Sequence, residues 1–199
     1  MSLSSNGAAS SSIVASLYIQ ALRHGQALWF AVASGSMRPL LAIGDEIYIE
    51  PACAYQLRIG DIAAFETPQG LVVHRIVQRR RCKTTIRLLQ MADIDLYPTW
   101  IAEPDVIGRV VAIRRDATSV DLRHPFTRLF GTAIAYLRYW LSRCQRYDHP
   151  GPVLHLCSRV LAHLQSRCIR WFCLSHLIAD EMLIKDETFE QEKHYVTAE

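Results

Sequence analysis

Lysine is scarce in this chain of 199 residues, in which Lys83, Lys185 and Lys193 are the only three. Lys83 ends the polar run 79–83, which holds three consecutive arginines and should be a solvated loop. A lysine that acts as a base near neutral pH has to be buried before it loses its proton. The sequence therefore disfavours chemistry that depends on a lysine base.

Long uncharged apolar stretches are also missing, because no 18 consecutive apolar residues occur without a charge. No ordinary transmembrane helix is predicted on that ground. Residues 1–12 consist largely of Ser, Ala, Gly and Asn and lack the basic start and apolar core of a cleavable signal peptide. We expect them to be a disordered leader and the protein to be cytoplasmic or peripheral at a membrane.

The sequence also lacks closely spaced pairs of cysteines. The six cysteines include no Cys-x-x-Cys pair and follow no secretory leader. This pattern predicts reduced thiols rather than disulfides. It offers no paired ligands for zinc, so no metal site is predicted.

Arginine supplies most of the basic charge and is unevenly distributed. Residues 1–179 carry 20 Lys/Arg against 12 Asp/Glu, whereas residues 180–199 carry 2 against 7. The end of the chain, 181–199, is therefore predicted to be a frayed acidic tail. Between residues 122 and 179, eight arginines accompany a single acid, Asp148. No helix-turn-helix, zinc finger or aromatic-basic platform goes with them, so nucleic-acid binding is not expected.

Short apolar and β-branched runs fill the first half of the chain, and turn residues such as Gly44-Asp45 and Gly60-Asp61 separate them. Such spacing is typical of a small antiparallel β domain. The pattern predicts an α+β fold whose mostly antiparallel β domain covers residues 13–122. Its expected elements are an amphipathic helix over 13–24 and strands over 27–33, 46–50, 62–65, 71–77, 86–90 and 106–113.

Helical patterns follow over 126–147 and 153–180, separated by residues 148–152, whose two prolines and glycine break any helix. They predict an arginine-rich, antiparallel helical hairpin over residues 123–180. Its apolar stripe either covers the β domain or pairs the two helices, with the arginines solvating the outside. Binding to an anionic membrane surface or to an acidic partner is the other reading.

A small hydroxyl residue lies on a glycine-loosened turn in Ser34-Gly35-Ser36-Met37-Arg38-Pro39, directly after an apolar run. Serine is too weakly acidic to attack an amide unaided and needs a base that reaches it in space. Histidine suits this role because its ordinary pKa of about 6.5 leaves it mostly neutral at pH 7. His74, in Val72-Val73-His74-Arg75, is the proposed base, and Asp93, in Met91-Ala92-Asp93-Ile94-Asp95, is the proposed holder of that base.

These motifs, the two Gly-Asp turns and Val106-Ile107-Gly108-Arg109-Val110 occur in the order and spacing found in type I signal peptidases. The sequence resembles that family over about residues 28–115, and more narrowly the branch that uses histidine as its base. The resemblance implies a β domain of the signal peptidase type. It also implies a serine endopeptidase that cleaves a signal, leader or precursor peptide through an acyl-enzyme.

The resemblance further implies that Ser36 attacks the scissile carbonyl, His74 takes the hydroxyl proton and Asp93 accepts the other imidazole N–H. The family usually has Lys-Gly-Asp where this chain has Met-Ala-Asp, so Asp95 stays open as an alternative orienting acid. The backbone N–H of Ser36 and the hydroxyl of Ser34 would form the oxyanion hole. A simple turn-stabilising role for the Ser34 hydroxyl also fits.

The expected partner is a peptide or protein with small residues at the first and third positions before the cut, bound as an extended strand against the sheet edge. No metal or organic cofactor is implied. Two other functions stay open. One is a self-cleaving or partner-specific regulatory peptidase, and the other is a catalytically inactive module that binds peptides or a membrane.

Overall fold

The computed structural model describes residues 16–68, 70–116 and 118–145. Within them the protein is an α+β fold in which two helices accompany a mostly antiparallel sheet of eight strands. The predictions for the leader 1–12, the second helix of the hairpin 153–180 and the acidic tail 181–199 lie outside the described residues.

The first described element is helix α1, residues 16–23, and the last is helix α2, Pro125–Gln145. A 3-10 turn, Glu103–Asp105, leads into the seventh strand. The strands are β1 Leu28–Ala31, β2 Glu46–Pro51, β3 Ile62–Thr67, β4 Gly70–Cys82, β5 Thr85–Met91, β6 Thr99–Ala102, β7 Val106–Arg115 and β8 Thr118–Asp121.

The strand order is β1-β2-β7-β3-β4-β5-β6, with β8 paired to β7 outside this path. All strand pairs are antiparallel. Consecutive strands β3, β4, β5 and β6 form a meander, while β7 inserts between β2 and β3. This order makes β1 and β6 the edges of the path among the described residues.

All six predicted strands are present, but β4 extends further than expected. Residues 78–82, which the arginine run suggested to be a loop, continue β4 and pair with β5 as far as Cys82 opposite Thr85. The turn falls at Lys83, whose φ of 51° is left-handed. Arginine can occupy an exposed strand because its aliphatic part lies along the sheet while its charged end reaches water. The short strands β6 and β8 were not predicted.

Alternate residues of β4 face two different apolar clusters, as the two-residue period of a strand requires. Leu71 and Val73 pack against the cluster that includes Met37 and Leu41. Val72 and Ile76 belong with the cluster built around Leu57, Phe65 and Leu88. His74 shares the second side, because its ring lies edge-on to Phe65 with centroids 6.0 Å apart.

Helix α2 packs one face on the sheet, where Ala135 joins Val77, Leu89 and Met91 in a third cluster. The approach is close at Gly60, whose φ is +96° and where a Cβ would lie 2.5 Å from the backbone nitrogen of Thr132. The other face of α2 leaves large apolar side chains in water: Phe126, Leu129, Tyr136, Leu137 and Trp140 are 40–69% exposed. Only part of the apolar surface of α2 therefore covers the sheet.

None of the helices in the described ranges combines the length and the apolar character that crossing a membrane requires.

Candidate active site

The serine loop follows β1 and is anchored by its neighbour Met37, which is 2% exposed within the core. Ser36 itself is half-buried and Ser34 is exposed. Their hydroxyl oxygens lie 3.2 Å apart and share a hydrogen bond. The pair assigned to the oxyanion hole is therefore in mutual contact, with the Ser34 hydroxyl directed at the Ser36 side chain.

A backbone hydrogen bond fixes this loop next to the end of β5. The N–H of Ile94 donates to the carbonyl of Ser36 at 3.1 Å. Three residues earlier, Met91 pairs with Arg75, the neighbour of His74 in β4. Because three residues span at most about 11 Å, the serine loop lies close to the β4–β5 pair. Residues 36 and 74 thus belong to segments linked through a single short connection.

His74 is oriented by Gln90 of β5, whose side-chain oxygen lies 2.6 Å from Nδ1. An amide oxygen only accepts, so Nδ1 carries the proton and Nε2 keeps its lone pair. That tautomer is the one a general base needs. Within the described residues His74 makes no direct hydrogen bond to Ser36, whose hydroxyl is bonded to Ser34 instead.

Burial lowers the pKa of His74 below its ordinary value of about 6.5, because the charged imidazolium loses solvation. The hydrogen bond from Nδ1 to Gln90 and the negative charges of Asp95 and Asp93 oppose this shift without cancelling it. The imidazole is therefore neutral at pH 7 and able to accept a proton.

Asp93 has a different partner from the one expected. Its two carboxylate oxygens accept from Nε and Nη2 of Arg75 at 2.9 and 2.6 Å, with both side chains almost fully buried. The sequence predicted that Asp93 would accept a hydrogen bond from the imidazole of His74. In the structure, Gln90 accepts that hydrogen bond from Nδ1. The reason is strand geometry, since residues 74 and 75 point to opposite faces and Asp93 meets the arginine.

Asp95, the alternative acid, accepts a hydrogen bond from the backbone N–H of Tyr97 at 3.2 Å through its carboxylate. Its carbonyl oxygen accepts from Nη2 of Arg138 at 2.7 Å, and the same nitrogen lies 3.2 Å from the carbonyl of Ala92. Burial lowers the pKa of Arg138, and the charge of Asp93 opposes that shift. Arg138 therefore holds both ends of the loop 92–95 from helix α2.

Sequence reasoning missed three residues of this arrangement. Gln90 ends the predicted strand 86–90, and its role follows only from the pairing of that strand with β4. Arg75 stood inside the Val-Val-His-Arg motif, where its charge next to a histidine was a usable signal. Arg138 lies in a helix rich in arginines, and nothing in the sequence distinguishes it from the exposed ones.

Comparison of the sequence with protein-family models finds no matching family, and comparison with curated proteins finds no match either. Fold and site together define an α+β protein whose antiparallel sheet presents an oriented, neutral histidine on β4, while the partner strand β5 leads into a segment that is hydrogen-bonded to a loop carrying two serines.

Proposed function

We propose that the protein is a serine endopeptidase with a β domain of the signal peptidase type, in which Ser36 is the nucleophile and His74 the general base. The observation that carries this proposal is the hydrogen bond from Nδ1 of His74 to Gln90. It leaves Nε2 as the free acceptor, on a strand whose partner β5 continues into the loop that binds Ser36.

In the proposed reaction, Ser36 Oγ attacks the scissile carbonyl while Nε2 of His74 takes the hydroxyl proton. The imidazolium returns this proton to the leaving amine, which departs and leaves an ester on Ser36. A water, deprotonated by the same nitrogen, then attacks the ester, and the imidazolium returns that proton to Ser36 Oγ as the acid is released. No metal or organic cofactor takes part in these steps.

Gln90 orients the base but adds no charge, unlike the carboxylate of a Ser-His-Asp triad. Negative charge is supplied from further away by Asp93 and Asp95, both of which raise the pKa of His74. Asp93 acts as a positioning residue in this scheme. Paired with Arg75, it fixes the start of the loop from which Ile94 holds Ser36.

The substrate we propose is an extended signal, leader or precursor peptide with small residues before the cut. Edge strand β1 runs directly into the serine loop and has one strand neighbour, β2, among the described residues. A peptide added to this edge would pass Ser36. Binding has to turn the Ser36 hydroxyl from Ser34 toward His74, since catalytic hydrogen bonds often form only with substrate present.

Labelling with a fluorophosphonate probe tests the proposal. Wild-type protein should be labelled covalently, while Ser36→Ala and His74→Ala should lose the label. His24→Ala is the matched control, because His24 is exposed and its Nδ1 bonds only its own helix, at the carbonyl of Gln20. Label that persists in folded Ser36→Ala, or its absence from folded wild type, contradicts the proposal.

The outer face of α2 favours a second candidate function, attachment to an anionic membrane surface. Phe126, Leu129 and Trp140 are 66%, 69% and 57% exposed on a helix that also carries the exposed Arg143. Apolar side chains flanked by arginine are typical of interfacial helices. Attachment is compatible with peptidase activity, and it would place the site near membrane-bound precursors.

Co-sedimentation with phosphatidylglycerol vesicles tests the membrane candidate, with phosphatidylcholine vesicles as reference. Wild type should bind the anionic vesicles, and the double variant Phe126→Ser/Trp140→Ser should not. Leu17→Ser is the control, because Leu17 is 59% exposed on α1. Equal sedimentation of wild type and the double variant would refute attachment through this face.

A further inference from the structure

The hairpin at the joined ends of β4 and β5 carries a concentrated positive charge. Every residue from Arg79 to Thr85 is exposed, although the strands stay paired as far as Cys82 opposite Thr85. This basic hairpin, residues 79–87, contains no acidic residue and five cations: Arg79, Arg80, Arg81, Lys83 and Arg87. It therefore forms a cationic projection of the sheet.

Two of the five cations have partners, but neither partner is an acid. Arg79 donates to the carbonyls of Leu57 and Tyr55, both at 3.3 Å. The guanidinium of Arg87 lies over the ring of Trp100, 5.7 Å from its centroid. Both contacts leave the positive charge of the arginine unneutralised.

The other three cations are unpaired within the described ranges, where the side chains of Arg80, Arg81 and Lys83 make no hydrogen bond or ion pair. The ion pairs found in those ranges all belong to arginines outside the hairpin. Glu103 meets the hairpin at its backbone, where its carboxylate accepts from the N–H of Ile86 at 3.1 Å.

Strand pairing also sets like charges against each other. Arg80 lies directly opposite Arg87, so both side chains leave the same face of the sheet. Like charges in this position destabilise a strand pair. Arg81 lies opposite Ile86 and leaves the other face, while Lys83 occupies the turn. A partner that neutralises the hairpin has to be anionic and to reach both faces and the tip.

The sequence contains a segment with the matching charge. Residues 186–192 hold four acids and no base: Asp186, Glu187, Glu190 and Glu192. The 40 residues 146–185 join this segment to the end of α2 and can span up to about 130 Å when extended. That reach is several times the length of β4, which has 13 residues.

We propose that the acidic segment 186–192 docks on the basic hairpin of its own chain. Surface ion pairs are individually weak, but the covalent link keeps the segment at a local concentration of about millimolar, so that several pairs act together. A single extended chain can pass from one face of the hairpin to the other, whereas a flat bilayer meets one side. The docked segment shields the hairpin from other anionic partners.

This contact is independent of the proposed peptidase reaction. Arg80 lies six positions beyond His74 along β4, which corresponds to roughly 20 Å. Ser36 and His74 can therefore be inactive without affecting the docking of the acidic segment.

Zero-length crosslinking of the full-length protein with a water-soluble carbodiimide tests the proposal. The reagent joins an amine to a carboxylate with loss of one water, and Lys83 is the only lysine before residue 185. Mass spectrometry should find Lys83 joined to an acid of segment 186–192. Lys83→Arg keeps the charge and should lose this product. Crosslinks from Lys185 or Lys193 to neighbouring acids show that the reagent has acted.

A pair of double variants tests whether the charge of the hairpin is the cause. Arg80→Gln/Arg87→Gln should lower the yield of the Lys83 crosslink about threefold. Arg58→Gln/Arg143→Gln removes the same charge from exposed positions outside the hairpin and should leave the yield unchanged. Salt at about 1 M, where the Debye length is about 3 Å, should reduce the yield in wild type. Equal yields in the two double variants contradict the assignment.

Three further results would overturn the proposal. Folded wild type that gives no crosslink between Lys83 and segment 186–192 contradicts it directly. In a mixture of unlabelled and heavy-nitrogen-labelled protein, crosslinks that join a light chain to a heavy one would show that the partner is a second copy. Loss of phosphatidylglycerol binding in Arg80→Gln/Arg87→Gln, without any such crosslink in wild type, would assign the hairpin to a membrane surface.

Discussion

Two neighbouring residues of β4 have opposite surroundings, although one peptide bond joins them. His74 faces the cluster around Phe65 and is held by the neutral amide of Gln90. Arg75 faces helix α2 and is held by the carboxylate of Asp93 in a buried, two-pronged ion pair. The protein thus uses its buried charge to fix the loop beside Ser36. His74, the proposed base, is oriented by an uncharged group.

The largest effect should be a loss of stability on removal of the buried ion pair between Arg75 and Asp93. Arg75→Met leaves the carboxylate of Asp93 buried without its bidentate partner, and such changes cost about 3–5 kcal/mol. Urea unfolding should show a loss of this size. The double variant Arg75→Met/Asp93→Leu should recover most of it, because a buried pair replaced by apolar residues is often nearly neutral. A double variant no more stable than Arg75→Met would show that the charge is not the cause.

Loss of the hydrogen bond between His74 and Gln90 should affect the rate of probe labelling more than the stability of the protein. Gln90→Leu removes the acceptor that fixes the tautomer of His74, so probe labelling should slow by about 100-fold, within the range that general-base catalysis contributes. Labelling kinetics in both proteins would measure this. Gln78→Leu is the control, since Gln78 lies in β4 opposite Leu89 and away from the imidazole. Equal labelling rates in wild type and Gln90→Leu would show that Gln90 has no role in orienting His74 for the reaction.

A carboxylate beside His74, like the one beside Arg75, should shift the pH dependence of the labelling rate. Gln90→Glu places a carboxylate beside Nδ1, which stabilises the imidazolium and raises the pKa of His74. The acid limb of the labelling rate should move to higher pH by the same amount. A limb that stays in place would mean that another group controls it.

The smallest effect concerns stability at acid pH. Because burial lowers the pKa of His74, the unfolded chain binds its proton first as the pH falls. The contribution of His74 is fully present above about pH 6.5, the unfolded value, and is lost progressively below it. The unfolding free energy of His74→Leu should fall less between pH 6.5 and 5 than that of wild type. Parallel slopes would contradict this assignment.

The fold was more predictable than the site. Runs with strong alternation, such as 46–50, became strands because burial of one face requires that period. The four-residue strands β6 and β8 carry too few residues to show a period. Residues 78–82 were misread because a run of arginines suggests a loop, whereas pairing with β5 extends the strand.

The serine loop and its histidine could be singled out from motifs, but their partners could not. Gln90 and Arg138 reach the site from other strands and helices, and only the pairing of these elements brings them there. Asp93 was assigned to His74 from a family pattern. In the structure it meets Arg75, because a one-residue step along β4 changes the face of the sheet.

The hydrogen bonds from Arg138 to the carbonyls of Ala92 and Asp95 connect the last described helix to the segment that holds Ser36. The guanidinium of Arg138 fixes the two ends of loop 92–95, and the N–H of Ile94 in that loop holds the carbonyl of Ser36. A displacement of α2 would therefore be transmitted to the serine loop. A chain cut between residues 121 and 138 loses that linkage while keeping all eight strands. Trimming the protein to its sheet would therefore unclamp the serine turn.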